Sequence, residues 1–174
     1  MIRANKIIDE ILGFGRERDL VLKKCSCNQL LQEVVDLQKI DSKIKVHKHF
    51  DPQVEESVID SDHISQAFTN LVRNAVESME DHGGTLTLET KLMGDRVEIK
   101  FKDTGCGISK ENLDKIFEPL FTTKLSGTGL GMPTVKNVVE RHQGKIKVES
   151  AVNSGTTVTL SIPYLLTISE STSS

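Results

Sequence analysis

Residues 97–108 read Val-Glu-Ile-Lys-Phe-Lys-Asp-Thr-Gly-Cys-Gly-Ile. Val97, Ile99 and Phe101 alternate with Glu98, Lys100 and Lys102, the period-two pattern of a strand with one buried and one wet face. The same alternation recurs at Ile44, Val46 and Phe50, at Leu86 and Leu88, at Ile146 and Val148, and at Val158, Leu160 and Ile162. Strands of a parallel sheet buried on both faces are apolar throughout. These strands therefore predict a mixed, mainly antiparallel sheet covered on one face only.

Helices supply the cover. From Asp62 to Met79, the residues Ile64, Ala67, Phe68, Leu71, Val72, Ala75, Val76 and Met79 keep i, i+3, i+4, i+7 spacing, which predicts the longest helix. A second helix is expected from Asn28 as N-cap, carrying Leu30, Leu31, Val34, Val35 and Leu37. A third follows Pro133, whose fixed φ suits a first turn, and Gly144 is expected to stop it. Residues 1–20 read as a charged helix with an apolar seam at Ala4, Ile7, Ile8, Ile11 and Leu12. The order is helix, helix, strand, long helix, two strands, loop, helix, two strands. It predicts an α+β fold, a two-layer sandwich.

Composition narrows the function. With 174 residues, 37% hydrophobic and 27% charged, the chain is an ordinary single folded domain. No apolar run approaches the length of a membrane-spanning helix, and the N-terminus is too charged for a signal peptide. A net charge of −3, no Trp and one Tyr argue against nucleic acid as a partner. Cys25, Cys27 and Cys106 form no Cys-x-x-Cys pair, and the histidines sit singly, so no protein-built metal cage is expected.

Two glycine-rich segments carry the chemistry. Gly127-Thr-Gly-Leu-Gly131 precedes a helix and reads as a phosphate cradle of bare backbone N–H groups. It is neither a Walker A loop nor a dinucleotide fingerprint. Asp103 sits past a strand and before two glycines, where a fixed carboxylate accepts hydrogen bonds and cannot donate them. Asn70 and Asn74 lie one helical turn apart on one face of the long helix. Their amide oxygens suit a bound Mg²⁺ and its phosphates, or else simple solvation.

Together these residues resemble the sensor histidine kinases of two-component signalling. Asn70-Leu-Val-Arg-Asn74-Ala resembles the N box and Asp103-Thr-Gly-Cys-Gly the G1 box. Phe117-Glu-Pro-Leu-Phe121 resembles the F box, and Gly127-Thr-Gly-Leu-Gly131 the G2 box. Their order and spacing match over roughly residues 28–163, and the fold implied is the Bergerat fold shared with gyrase, MutL and the large heat-shock chaperone. The resemblance implies ATP and Mg²⁺ as cofactors, with Asn74 the metal ligand and Asn70 a helper. It implies Asp103 on the adenine amine, with Gly105, Gly107 and Ile108 lining the base and Thr156 supporting Asp103. Lys124 would reach the terminal phosphates, and Gly127, Thr128, Gly129 and Gly131 would contact them through the backbone, with Leu130 beneath. Phe117 would belong to a lid spanning residues 109–126.

Two departures stand out. Leu120 replaces the second Phe usual in the F box. Hydrolytic cousins place a Glu base where this chain has Asn70, and an amide cannot take a proton at neutral pH. The resemblance therefore implies a kinase domain that holds ATP for another nucleophile. That nucleophile would be a histidine on a separate dimerisation domain, from which the phosphoryl group passes to a response regulator. His47 has a Pro five residues on, but it stands in a strand with no acidic neighbour and is not expected to be the acceptor.

Residues 1–20 are expected to be the end of that domain's second helix, 21–166 the catalytic ATP-binding domain and 167–174 a disordered tail. The expected location is cytoplasmic, with no direct membrane contact by this segment, within a parent that can be membrane-anchored. The isolated chain is expected as a monomer or weak dimer, the parent as a homodimer. Two other readings stay open: a nucleotide-gated binding module, and a serine kinase of the anti-sigma type.

Overall fold

A computed structural model describes residues 19–124 and 127–164. The expected N-terminal helix, apart from residues 19 and 20, and the expected C-terminal tail lie outside these residues. The elements are β1 (Lys23–Ser26), α1 (Cys27–Leu37), β2 (Ile44–Phe50), β3 (Glu56–Ile59), α2 (Ser61–Ser78), β4 (Gly84–Met93) and β5 (Arg96–Asp103). They continue with α3 (Lys110–Leu113), α4 (Gly131–Arg141), β6 (Lys145–Ser150) and β7 (Thr156–Pro163).

The main sheet has five strands in the order β2-β4-β5-β7-β6. Of its described strands, β2 pairs in parallel, with β4, and the other pairs are antiparallel. Register places Val97 opposite Ile162, Ile99 opposite Leu160 and Phe101 opposite Val158, so the alternating apolar residues stack on one face. That face joins the buried sides of α1, α2 and α4 in a single core. Phe68 of α2 is fully buried and packs on Phe101 of β5, with ring centroids 5.6 Å apart and planes tilted by 53°. Asp103 has the parity of Phe101 and stands opposite Leu86, so β5 ends with a carboxylate on its helix-covered face.

The structure departs from the sequence reading in four places. The first is the start of α1, which is capped by Ser26, whose Oγ accepts from the Gln29 N–H at 3.3 Å. Asn28 is used elsewhere: Nδ2 donates to the Asp51 and Val54 carbonyls, and Oδ1 accepts from Thr90 Oγ1. Leu37 is 82% exposed, because two residues beyond Val35 is roughly 200° around the helix from the buried stripe. At the end of α4, Gln143 and not Gly144 takes the left-handed conformation, with φ of 55°. The Gln143 N–H reaches the Glu140 carbonyl and the Gly144 N–H the Val139 carbonyl, the paired bonds of a Schellman stop. The fourth departure is the pair β1 and β3, which forms a second antiparallel sheet that no alternation announced.

One buried polar cluster ties this small sheet to the rest. Asp60 caps α2, with Oδ1 accepting from the His63 N–H at 3.0 Å. Its Oδ2 accepts from the Val21 N–H at 2.8 Å and lies 2.9 Å from His63 Nδ1. The Asp60 N–H donates to His142 Nε2 at 3.0 Å, while His142 Nδ1 is 2.8 Å from the Val138 carbonyl. A carbonyl only accepts, so the His142 proton sits on Nδ1 and the ring is neutral.

Burial alone would raise the Asp60 pKa, but the His63 and Val21 hydrogen bonds outweigh it and hold the carboxyl at about 2. Burial, the largest influence on His142, keeps its pKa below the usual value. The sign follows for each group. Asp60 stabilises the fold above its unfolded pKa, and that contribution is lost as pH falls from about 4 through about 2. His142 must stay neutral, so stability also declines as pH falls below its unfolded value of 6.5. Urea denaturation across pH should therefore show two stages of acid loss. Asp60→Asn should shrink the lower stage, to which Asp36 and Asp51 also contribute, and cost about 2 kcal/mol at neutral pH; an unchanged acid profile in that variant would contradict the assignment.

Candidate functional site

A cavity of about 510 Å³ opens between α2, the loop that follows β5, the start of α4 and the β6–β7 side of the sheet. That size suits a drug-sized ligand or a nucleotide. Of the residues singled out in the sequence, Asn74, Asp103, Gly107, Ile108, Lys124, Gly127, Thr128, Gly129, Gly131 and Thr156 line it. Asn70, Gly105, Phe117 and Leu130 stand outside its wall. Asn70 is 9% exposed, and its Oδ1 accepts from Arg73 Nη2 at 2.8 Å. Leu130 is buried as the N-cap residue of α4. The Phe117 ring lies 5.5 Å from Lys136 Nζ.

Asp103 forms the floor. It is 7% exposed, and Oδ1 accepts from the Gly105 N–H at 2.8 Å and the Thr156 N–H at 3.2 Å. The Ser78 hydroxyl is also 3.2 Å from Oδ1 and is shared with the Ala75 carbonyl at 2.7 Å. All three donors converge on Oδ1 and leave Oδ2 to the cavity. Burial pushes the Asp103 pKa up more than these bonds pull it down. The support expected from Thr156 comes through its backbone. Its hydroxyl is 2.9 Å from Ser150 Oγ, which accepts from the Ile108 N–H at 2.8 Å and donates to the Gly155 carbonyl.

The opposite end favours anions. Helix α4 begins with no side-chain cap and no acidic residue in its first turn, so its first N–H groups and the positive end of its dipole face the glycine segment. Gly129 has φ of 71°, and a Cβ there would run into the backbone of Leu120, whose N–H donates to the Gly129 carbonyl at 3.1 Å. Leu120, the departure from the F box, is itself left-handed and 63% exposed. Lys124 Nζ enters the cavity wall 2.5 Å from Glu77 Oε2.

Among the described residues, no group of three or more His, Cys, Asp or Glu side chains could hold a metal ion. From α2 it is Asn74, and not Asn70, that lines the cavity, and a side-chain amide oxygen suits a hard cation held chiefly by phosphates and water. Sequence reasoning missed Ser78, Ser150, Glu77 and Arg73. Ser78 lies one turn past Asn74 on the same face of α2, the one signal that could have found it.

The profile of the family described as "Histidine kinase-, DNA gyrase B-, and HSP90-like ATPase" matches residues 59–166. The sensor histidine kinase ZraS of Escherichia coli is 34% identical over 168 residues, covering 95% of this chain and 36% of that protein. The chain thus spans about a third of the length of that relative. Among solved structures, the catalytic domain of histidine kinase ThkA superposes with a TM-score of 0.75 at 31% identity, covering 84% of this chain and 97% of that one. Histidine kinase ThkA in complex with the response regulator protein TrrA gives a TM-score of 0.77 at 30% identity, over 93% of this chain and 47% of that one.

The floor carries its own test. A Cβ on Gly105 would strike the Ser78 hydroxyl and carbonyl, in backbone that the Cys106 N–H ties to Ser78 O at 3.1 Å. Gly105→Ala should therefore cost roughly 1–3 kcal/mol of stability in urea denaturation, the usual penalty of overpacking a tight contact. Gly94, where an added Cβ would meet nothing within 4 Å although φ is 64°, is the control: Gly94→Ala should show only the backbone cost of about 1 kcal/mol. Equal losses in the two variants would remove Gly105 from the site's architecture.

Proposed function

The chain belongs to the histidine kinase-, DNA gyrase B- and HSP90-like ATPase family, and on that premise we propose that it is the ATP-binding catalytic domain of a sensor histidine kinase. The observation that carries the reading is the single carboxylate oxygen, Asp103 Oδ2, left facing a nucleotide-sized cavity. An acceptor fixed there receives the exocyclic amine of adenine and meets the guanine carbonyl as a second acceptor, which selects ATP over GTP. Ile108 and Val148 give the cavity an apolar wall for the base.

Lys124 and the N-terminus of α4 hold the phosphates, and Asn74 holds Mg²⁺. When bound, the metal neutralises charge that builds on the transferring phosphoryl group. The protein's own part is to grip and aim. Asn70 supplies no base, because an amide does not accept a proton at neutral pH and its oxygen already takes the Arg73 hydrogen bond. The nucleophile is therefore a histidine brought by a separate helical dimerisation domain, with a response regulator as the onward acceptor, as the ThkA–TrrA pairing suggests. Residues 21–166 are the catalytic unit in this reading and residues 1–20 its connection to the dimerisation helices. Among the described residues, no helix is long and apolar enough to cross a membrane.

Calorimetry should find ATP and ADP binding at roughly micromolar to sub-millimolar Kd with Mg²⁺. Asp103→Asn should weaken it by about 1.5–3 kcal/mol, the value of a charged hydrogen bond. Equal affinity for GTP and ATP would overturn the assignment. With labelled ATP, the chain alone should neither label itself nor hydrolyse appreciably. Adding a helical acceptor domain should produce an acid-labile, base-stable phosphohistidine. Asn74→Ala should depress that transfer far more than it weakens binding of metal-free nucleotide, and unimpaired transfer would remove Asn74 from the metal site.

A further inference from the structure

Glu77 stands in the cavity wall together with Lys124 and the glycine segment. It follows Asn74 by three residues on α2, so the two share a face of the helix. Its Oε2 is 2.5 Å from Lys124 Nζ, across the cavity mouth, and its Oε1 is 3.9 Å from Arg73 Nε on its own helix. Arg73 in turn donates to Asn70. One carboxylate thus gathers a helix cation and a loop cation beside the glycine segment.

We propose that Glu77 competes with nucleotide phosphates for Lys124, and so is a specificity-determining residue that sets how much each phosphate adds to affinity. The inference rests on reading the cavity as a nucleotide site. A phosphate chain entering between Asn74 and α4 meets a carboxylate already holding the cation it needs. Lys124 cannot serve both at full strength, because its ammonium is a single charge.

The exchange is inexpensive, for the Glu77 and Lys124 side chains are 33% and 41% exposed and their pair is well screened. Glu77 keeps Arg73 beside it when Lys124 leaves, so no bare charge is stranded. Lys124 carries its loop along: its N–H bonds Thr122 Oγ1 and its carbonyl accepts from the Gly127 N–H. The competition therefore couples phosphate recognition to the position of that loop. Adenosine, which lacks phosphate, never enters it.

The test is calorimetry on the full chain with adenosine, AMP, ADP and ATP in Mg²⁺. The proteins are wild type, Glu77→Gln, Lys124→Gln and the double variant. Glu77→Gln should tighten ADP and ATP by roughly two- to fivefold, the scale of an exposed ion pair, and leave adenosine unchanged. In the Lys124→Gln background the same substitution should bring no gain, because there is no cation left to contest. Weaker or unchanged ATP binding by Glu77→Gln would overturn the proposal. So would an equal shift for adenosine, which marks a merely structural role, or a gain that persists without Lys124, which marks plain repulsion. If wild type binds no nucleotide, the functional reading falls and this inference falls with it. If wild type prefers adenine nucleotides and only the Glu77 result fails, this inference alone falls.

Discussion

A carboxylate set at the covered end of a strand must be solvated by the protein itself, and much of this structure follows from how that is done for Asp103. The charge is nearly out of water, and burying it unpaired would cost several kcal/mol. Three donors meet the need: the Gly105 amide in the loop after β5, the Thr156 amide at the start of β7 and the Ser78 hydroxyl at the end of α2. Each donor imposes a condition. The loop must fold back against α2, which only a residue without Cβ allows at 105. Strand β7 must begin beside the end of β5, which the tight Gly155 turn secures. Helix α2 must run long enough to bring its last turn to the same point, which its eighteen residues do. Because all three bonds spend one oxygen, the other remains for a ligand. Structural need and recognition are met by the same side chain.

The walls differ in rigidity for reasons visible in their bonding. Helix α2 and strands β5 and β7 are locked by apolar packing, with Phe68 on Phe101 at the centre. Among the described residues between Thr104 and Leu130 there are one short helix and a few turn bonds, such as Leu120 to Gly129. Segments with little buried apolar area open locally at small free-energy cost. In the proposed function, the carboxylate that reads the base therefore sits at the end of rigid β5, and Lys124, which meets the phosphates, sits in the adjustable segment. That division suits a site that must fix a base while passing its terminal phosphate to another molecule.

The sheet was legible because its wet face forces alternation, and α2 because its apolar stripe never breaks. The α1 start was not, since Ser26 and Asn28 are both good caps and only the tertiary partners of Asn28, at Asp51, Val54 and Thr90, decide between them. Strands β1 and β3 are four residues each, Lys-Lys-Cys-Ser and Glu-Ser-Val-Ile, too short for a period to register. The site divides the same way. Asp103, Asn74 and the glycines carry unusual chemistry for their positions and stand out. Ser78, Ser150 and Glu77 are common residues whose roles come from what folding sets opposite them. A serine near a helix end says nothing of a carboxylate that lies 25 residues away in sequence.

In the proposed function, Asn70 and Arg73 bear on how the site would bind a reactive anhydride without consuming it. A water poised for attack needs a base, and Asn70 of α2 offers an amide whose oxygen already accepts from Arg73. Two carboxylates stand in the cavity wall near the end of α2, Glu77 and Glu80, and Glu77 keeps Arg73 beside it whether or not Lys124 has left it for a phosphate. The Asp103 carboxyl lies at the other end of the cavity, with one oxygen given over to backbone donors. In the proposed function, an amide at position 70 in place of a base helps preserve the phosphoryl group until a histidine from outside the domain supplies the attacking nitrogen.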